Sequence, residues 1–151
     1  MRLSLTVQKA TRTPGMPRPV SIEKWARAAL AGSGQGAAVV TVRLVDQAES
    51  AALNKRYRGK RGATNVLSFP YQMPRMAPGL VGDLVICAPL VKREAAQQDK
   101  AVRAHWAHLV VHGILHLRGY DHVHEMDAQT MESLETRTLK RLGFPNPYHR
   151  S

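Results

Sequence analysis

Cysteine is almost absent from this chain, and several other signals are missing with it. The single cysteine, Cys87, excludes an internal disulfide, so we expect a reducing cytoplasm. The sequence contains no run of about 18 apolar residues and no apolar secretory segment, so we expect neither a membrane span nor export. Only 5% of the residues are aromatic, and no clear platform for stacking bases stands out.

Acidic residues are also scarce, because 11 Asp and Glu stand against 22 Lys and Arg and the formal net charge is +11. Such a charge attracts a polyanion through long-range electrostatics and through release of its counterions. Nucleic acid is therefore the first partner to consider. The length of 151 residues is typical of one domain that buries a core without help from a disulfide or a metal.

Hydrophobic periodicity predicts a small sheet and several helices. Segments rich in β-branched residues predict four strands, at Leu3–Val7, Val39–Val45, Asn65–Phe69 and Leu84–Ile86. Later helices are predicted at Ala48–Arg58, Pro89–Gln98, Ala101–Leu117 and Ala128–Leu142. Ser21 is a candidate N-cap for a first helix, which Gly32 would end. The prediction is an α+β domain, with a four-stranded mixed sheet packed against about five helices.

The helix Ala101–Leu117 carries four histidines on one arc, and two of them predict a metal site. His112 and His116 lie one turn apart on the same face, so both rings can reach one ion at about 2.0–2.1 Å. A continuing helix would carry His122 away from this face. Gly119 can take a positive φ, and a turn there would bring His122 back over the pair.

Three imidazoles with a fourth position left open are typical of a catalytic zinc site, since structural sites usually have four protein ligands. We therefore predict one divalent metal ion, with zinc expected, bound by His112, His116 and His122. We interpret His105 and His108 as packing, hydrogen-bonding or substrate-facing groups. The metal-binding helix would lie at the centre of the domain and resemble that of the zincins.

The same histidine spacing occurs in the metzincin proteases, where a glutamate after the first histidine is the general base. Gly113 occupies that position in this chain. A glycine cannot transfer a proton, so a zincin-type metalloprotease remains an alternative without its central chemical group.

The sequence resembles the YbeY family, bacterial metal-dependent endoribonucleases involved in ribosomal RNA maturation. The resemblance runs from about Val39 to Gly143 and rests on four blocks: LNKRYRGKRGATNVLSFP (Leu53–Pro70), GDLVI (Gly82–Ile86), AHWAHLVVHGILHLRGYDH (Ala104–His122) and MESLE (Met131–Glu135). It implies that the three predicted histidines bind the metal and that Arg58 matches the functionally important arginine near it. Residues 1–151 would then form a single metal-dependent endoribonuclease domain.

The resemblance further implies a single-strand-specific enzyme that matures the 3′ end of small-subunit ribosomal RNA and acts in ribosome quality control. Its partners would be the precursor of that RNA and the ribosome or ribosome-assembly proteins. The alternative to catalysis is an assembly factor in which the metal only stabilises the fold. Many relatives carry acidic residues in the loop after Pro70, where this chain has Tyr71, Gln72, Met73 and Arg75. The ribosomal partner and the cleavage preference are therefore open.

The chemistry of the basic segment RGKRG agrees with a phosphodiester substrate. Arg58 is always charged and can stabilise the charge that builds on phosphorus, while Lys60 and Arg61 add two cations for binding RNA phosphates. Water and the 2′-hydroxyl of RNA both remain possible nucleophiles. Positional candidates for proton transfer are Ser68, His108 and Asp121. The run between Phe69 and Gly82 holds three prolines, and we expect a loop there that is a candidate lid.

Overall fold

Four strands form one mixed sheet in the computed structural model, which describes residues 1–72, 79–120 and 125–148, apart from the side chains of residues 125 and 126. The strands are β1 (Arg2–Ala10), β2 (Ala37–Val45), β3 (Val66–Pro70) and β4 (Leu80–Cys87). Their order across the sheet is β1-β2-β4-β3, with β1, β2 and β4 parallel and β3 antiparallel to β4. The short β3 is therefore an edge strand.

Five helices lie in the same described ranges and complete the predicted α+β domain. They are α1 (Pro19–Leu30), α2 (Gln47–Arg58), α3 (Ala88–Gln97), α4 (Val102–Leu117) and α5 (Glu125–Arg141). Helix α4 contacts α1, α3, α5, β3 and β4, so it occupies the centre of the fold as predicted. Among the described residues, no helix has the length and apolar character needed to cross a membrane.

Helix α4 is buried over most of its circumference. Ten of its 16 residues are buried, and eight of these pack with the alternating face Val40, Val42 and Leu44 of β2 in one hydrophobic core. The helix approaches the sheet closely at Gly113, where an added Cβ would lie 2.8 Å from Leu84 Cδ2. A helix buried in this way has to satisfy any polar side chain from within the protein.

The first helix begins earlier than its predicted cap. Arg18 occupies the N-cap position and Pro19 opens the helix, because the fixed φ of proline suits a first helical turn. Ser21 therefore lies inside α1, and its hydroxyl accepts a hydrogen bond from Arg103 at 3.2 Å. The prediction of Ser21 as the N-cap was wrong.

The fourth strand also begins earlier than predicted, at Leu80, because Leu80 and Val81 pair with β2. Gly82 lies within the strand, and an added Cβ there would meet Leu117 Cδ2 at 2.5 Å. The predicted loop between Phe69 and Gly82 is correspondingly shorter. Residues 73–78, which form most of the candidate lid, lie outside the described residues.

Glu94 on α3 links two other elements. Its Oε1 accepts a hydrogen bond from Asn65 Nδ2 at 3.0 Å and lies 2.8 Å from His105 Nε2 on α4. His105 is buried, as expected of a packing and hydrogen-bonding group. Partial burial raises the pKa of the Glu94 carboxyl, but the hydrogen bonds from His105 and Asn65 outweigh it, and the pKa is lowered overall.

We expect Glu94→Gln to reduce the free energy of unfolding by about 1 kcal/mol at neutral pH. A carboxyl with a lowered pKa contributes stability above its unfolded value of 4.5 and loses it as the pH falls. The difference between wild type and Glu94→Gln should therefore shrink in urea unfolding below pH 4.5. The matched control is Glu23→Gln, which breaks an exposed pair with Arg27 and should change little. A difference that stays constant with pH would contradict this assignment.

Candidate metal centre

Three imidazoles stand in a row along α4, beside α5. The ring centroids of His108 and His112 are 6.1 Å apart, and those of His112 and His116 are 4.6 Å apart. The Nε2 atoms of His112 and His116 are separated by 3.1 Å. Two nitrogen ligands of one tetrahedral ion at about 2.0–2.1 Å would lie about 3.3 Å apart. The geometry of this pair therefore fits two ligands of a single ion.

The carboxylate of Glu135, on α5, orients the histidine row. Its Oε1 lies 2.8 Å from His112 Nδ1 and its Oε2 lies 2.6 Å from His108 Nε2. The hydroxyl of Tyr148 donates a third hydrogen bond to Oε2 at 2.6 Å. Because Nδ1 of His112 donates to the carboxylate, Nε2 carries the lone pair that a metal needs.

Electrostatics keep Glu135 ionised although its side chain is fully buried. Burial raises the pKa of its carboxyl, but the hydrogen bonds from His108 and His112 outweigh that effect and bring the pKa to about 2. Burial lowers the pKa of His108, so its ring is neutral at pH 7 and donates through Nε2. Burial and the contact with Glu135 raise the pKa of Tyr148, which stays a donor.

Glu135 also belongs to a second group that could hold a metal, together with His108 and His112. One ligand atom from each residue lies within 4.8 Å of the others. The contacts of 2.6 and 2.8 Å inside this group are hydrogen bonds, which an ion would have to replace. Sequence reasoning missed Glu135 as a site residue. The available signal was a charge on the buried face of α5, between Met131 and Leu139.

The turn predicted after the histidine helix is present. Helix α4 ends at Leu117, and Gly119 has a φ of 100°. Asp121 and the third predicted ligand, His122, lie outside the described residues. The position of the metzincin base, Gly113, faces Leu84 in the core and offers no room for a glutamate without rearrangement.

The basic segment lies at the end of α2 and in the turn after it. Arg58 is the last residue of the helix, and Lys60 and Arg61 follow; all three are exposed. The turn is held against α2 because Asn54 Nδ2 donates to the carbonyl of Gly62 at 2.9 Å. The chain then enters β3, which packs against α4.

Ser68 joins β3 directly to the histidine helix. Its hydroxyl donates to the backbone carbonyl of Gly113 at 3.2 Å, next to His112. The structure thus places one positional candidate for proton transfer beside the helix that carries the histidine pair. Through β3, the strand that follows the basic turn, this contact reaches the histidine helix.

The fold and the geometry define a class of protein: an α+β domain whose central helix carries a pair of histidines suited to one metal ion. The family model described as Endoribonuclease YbeY matches residues 15–143. A relative named Endoribonuclease YbeY from Methylococcus capsulatus is 54% identical over 147 residues, covering 97% of this chain and 95% of the relative. One of the same name from Nitrosococcus oceani is 48% identical over 151 residues, covering 98% of each. The chain therefore belongs to the YbeY family.

A solved structure supports the fold alone. The solution structure of TM1509 from Thermotoga maritima has a TM-score of 0.60 and 23% identity, and the match covers 96% of this chain and 100% of that one. At this identity, the likeness extends to the arrangement of the sheet and helices and carries no argument about chemistry.

Two ligand sets contain His112: the predicted set with His116 and His122, and the set with His108 and Glu135. Substitution of the residues in which they differ separates them. We expect His116→Ala to lose bound zinc, because it removes a nitrogen placed 3.1 Å from its partner. We expect His108→Gln to retain the metal, since the amide can still donate to Glu135. Metal content per chain after zinc loading and dialysis measures both. Loss in His108→Gln with retention in His116→Ala would instead assign the metal to the Glu135 set.

Replacement of Glu135 by glutamine tests its orienting role. The neutral side chain accepts less strongly from His112, so we expect zinc affinity to fall about 10- to 100-fold in competition with a chromophoric chelator. Glu132→Gln is the matched control, because Glu132 is exposed on the same helix. An unchanged affinity in Glu135→Gln would mean that His112 does not depend on this hydrogen bond.

Proposed function

We propose that this protein is a single-strand-specific, metal-dependent endoribonuclease whose catalytic domain is formed by residues 1–151. The observation that carries the proposal is the His112–His116 pair, with Nε2 atoms 3.1 Å apart and one ring oriented by Glu135. The names of the relatives support RNA cleavage. The net charge of +11 agrees with a polyanionic substrate.

The proposed ligands of one divalent ion are His112, His116 and His122, and zinc suits three imidazoles. When bound, such an ion polarises a phosphoryl oxygen and lowers the pKa of water. Glu135 holds His112 in the tautomer that presents Nε2. The buried wall of α4 behind the histidines limits water on that side and keeps the rings in place.

Arg58 is the proposed catalytic cation, and Lys60 and Arg61 are proposed to bind RNA phosphates. All three side chains are exposed, Arg58 at the end of α2 and the other two in the turn that Asn54 holds, so they can meet a phosphate without refolding of the turn. A guanidinium binds two phosphate oxygens at once and stabilises the charge of the transition state. Arg58 therefore has the chemistry to hold the scissile group.

We further propose that the enzyme acts in the cytoplasm on the 3′ end of the small-subunit ribosomal RNA precursor and in ribosome quality control. Its partners would be that RNA and the ribosome or ribosome-assembly proteins. Membership of the YbeY family supports this assignment. The metalloprotease alternative is disfavoured because Gly113, at the position of its base, packs against Leu84. A metal-stabilised assembly factor without catalysis is the rival that the next experiment separates.

The test measures cleavage of labelled single-stranded RNA and, in separate reactions, of duplex RNA and of casein. We expect the zinc-loaded wild type to cut only single-stranded RNA, and Arg58→Ala to lower kcat about 100-fold or more. Arg27→Ala removes an equal charge from the distant, exposed Arg27–Glu23 pair and should retain activity. His116→Ala should lack both metal and cleavage.

Three results would overturn the proposal. Undiminished RNA cleavage by metal-free His116→Ala would exclude the metal-dependent mechanism. Binding of RNA by the zinc-loaded wild type without any cleavage would favour the assembly factor, and cleavage of casein would favour the protease.

A further inference from the structure

An aromatic pair lies beside the basic turn and takes no part in the metal centre. The ring of Tyr57 on α2 meets that of Phe69 on β3 edge-to-face, with centroids 5.2 Å apart and planes inclined at 70°. Phe69 is partly buried, because it packs against a small cluster formed by Val45, Leu67, Val85 and Cys87. Tyr57 remains 57% exposed. The tyrosine ring is thus supported by Phe69 and keeps more than half of its surface exposed to solvent.

The surroundings of this ring are strongly cationic. The guanidinium carbon of Arg56 lies 5.3 Å from the Tyr57 ring centroid. The segment from residue 55 to 61 contains five basic residues and no acidic one. An exposed tyrosine among arginines is what a single RNA strand requires, because bases stack on aromatic faces while cations neutralise the flanking phosphates.

The position of Phe69 places the pair on the face of β3 opposite the histidine helix. Successive side chains of a strand point to opposite faces, and Ser68 faces α4 through its hydrogen bond to Gly113. Phe69 therefore points to the other face, where Tyr57 covers it. Since β3 is an edge strand, the histidine helix and the aromatic pair lie on the two sides of the same edge. One RNA strand that crosses this edge would meet both.

We propose that Tyr57, backed by Phe69, is a stacking subsite for a base that flanks the cleaved phosphodiester; this inference rests on the proposed function. Arg56 and Arg58 neutralise the phosphates on either side of the stacked base. Every base has a face that can stack, so the subsite adds affinity and positions the strand without reading its sequence. Single-stranded RNA is favoured because a base in a duplex is not free to leave its neighbours.

The experiment compares Tyr57→Phe with Tyr57→Leu in the full chain carrying His116→Ala, so that bound RNA is not cut. Phenylalanine keeps the aromatic face, whereas leucine keeps the apolar contact with Phe69 and loses the face. We expect Tyr57→Leu to weaken binding of a labelled single-stranded RNA roughly 5- to 100-fold and Tyr57→Phe to stay within about twofold. The salt dependence should not change, because Tyr57 neutralises no phosphate.

A second RNA, with the bases removed at the central positions, separates stacking from a general effect on the surface. On this abasic strand, Tyr57→Leu and Tyr57→Phe should bind alike. A 2-aminopurine placed in the intact strand should be quenched when Tyr57 is present and not in Tyr57→Leu, a readout that does not depend on overall affinity. In the catalytically intact chain, Tyr57→Leu should raise KM more than it lowers kcat.

Equal binding of the intact RNA by both variants, or equal loss on intact and abasic RNA, would overturn the stacking subsite. Thermal unfolding of each variant verifies that the exposed position tolerates the change. Failure of the proposed function gives a different result, because the wild-type chain would then not cleave RNA at all. A wild type that cleaves RNA while Tyr57→Leu binds normally would overturn only this inference.

Discussion

A buried carboxylate between two helices holds the candidate site together. Glu135 has no exposed surface, and an ionised group in such a place is tolerated only with several hydrogen bonds. His108 and His112 on α4 and Tyr148 near the C-terminus provide them. The interaction that packs α5 against α4 is therefore the same one that sets the tautomer of His112. The packing of the two helices and the orientation of the candidate metal ligand therefore depend on the same residue, and removing one partner leaves a buried polar group unsatisfied.

The fold followed from the sequence wherever a local pattern was enough. The alternation of Val40, Val42 and Leu44 gave the central strand, and the composition from Ala101 to Leu117 gave the central helix almost to the residue. One error, at the start of α1, came from overlooking the local signal of Pro19, whereas the error at the start of β4 lies at a boundary set by contacts with distant residues. Strand β4 starts at Leu80 because β2 is there to pair with it, and no local feature of a proline-rich segment indicates that partner. Strand order is hidden for the same reason.

The residues of the candidate site also differ in whether local sequence spacing or long-range packing brings them together. His112 and His116 were predictable because their relation is one helical turn, a property of the sequence spacing itself. Glu135 reaches His112 from 23 residues away through the packing of two helices. In the sequence, the only signal of Glu135 was a charged residue at a position where the hydrophobic periodicity of α5 predicts an apolar one. Arg58 could be assigned a role only through the family resemblance, because a basic turn after a helix is a common feature of protein surfaces.

The packing of α4 also explains how one histidine spacing can serve different chemistry. In a metzincin, the residue after the first ligand carries the general base. Here that residue is Gly113, and its missing side chain lets the helix lie directly on β4, where a Cβ would come within 2.8 Å of Leu84. Gly113 therefore serves the packing of α4 on the sheet. Any proton transfer must therefore come from outside this residue, and Ser68 already reaches this turn of the helix from β3. The edge strand, with Ser68 on one face and Phe69 on the other, is consequently the element that connects the proposed stacking subsite with the histidine helix.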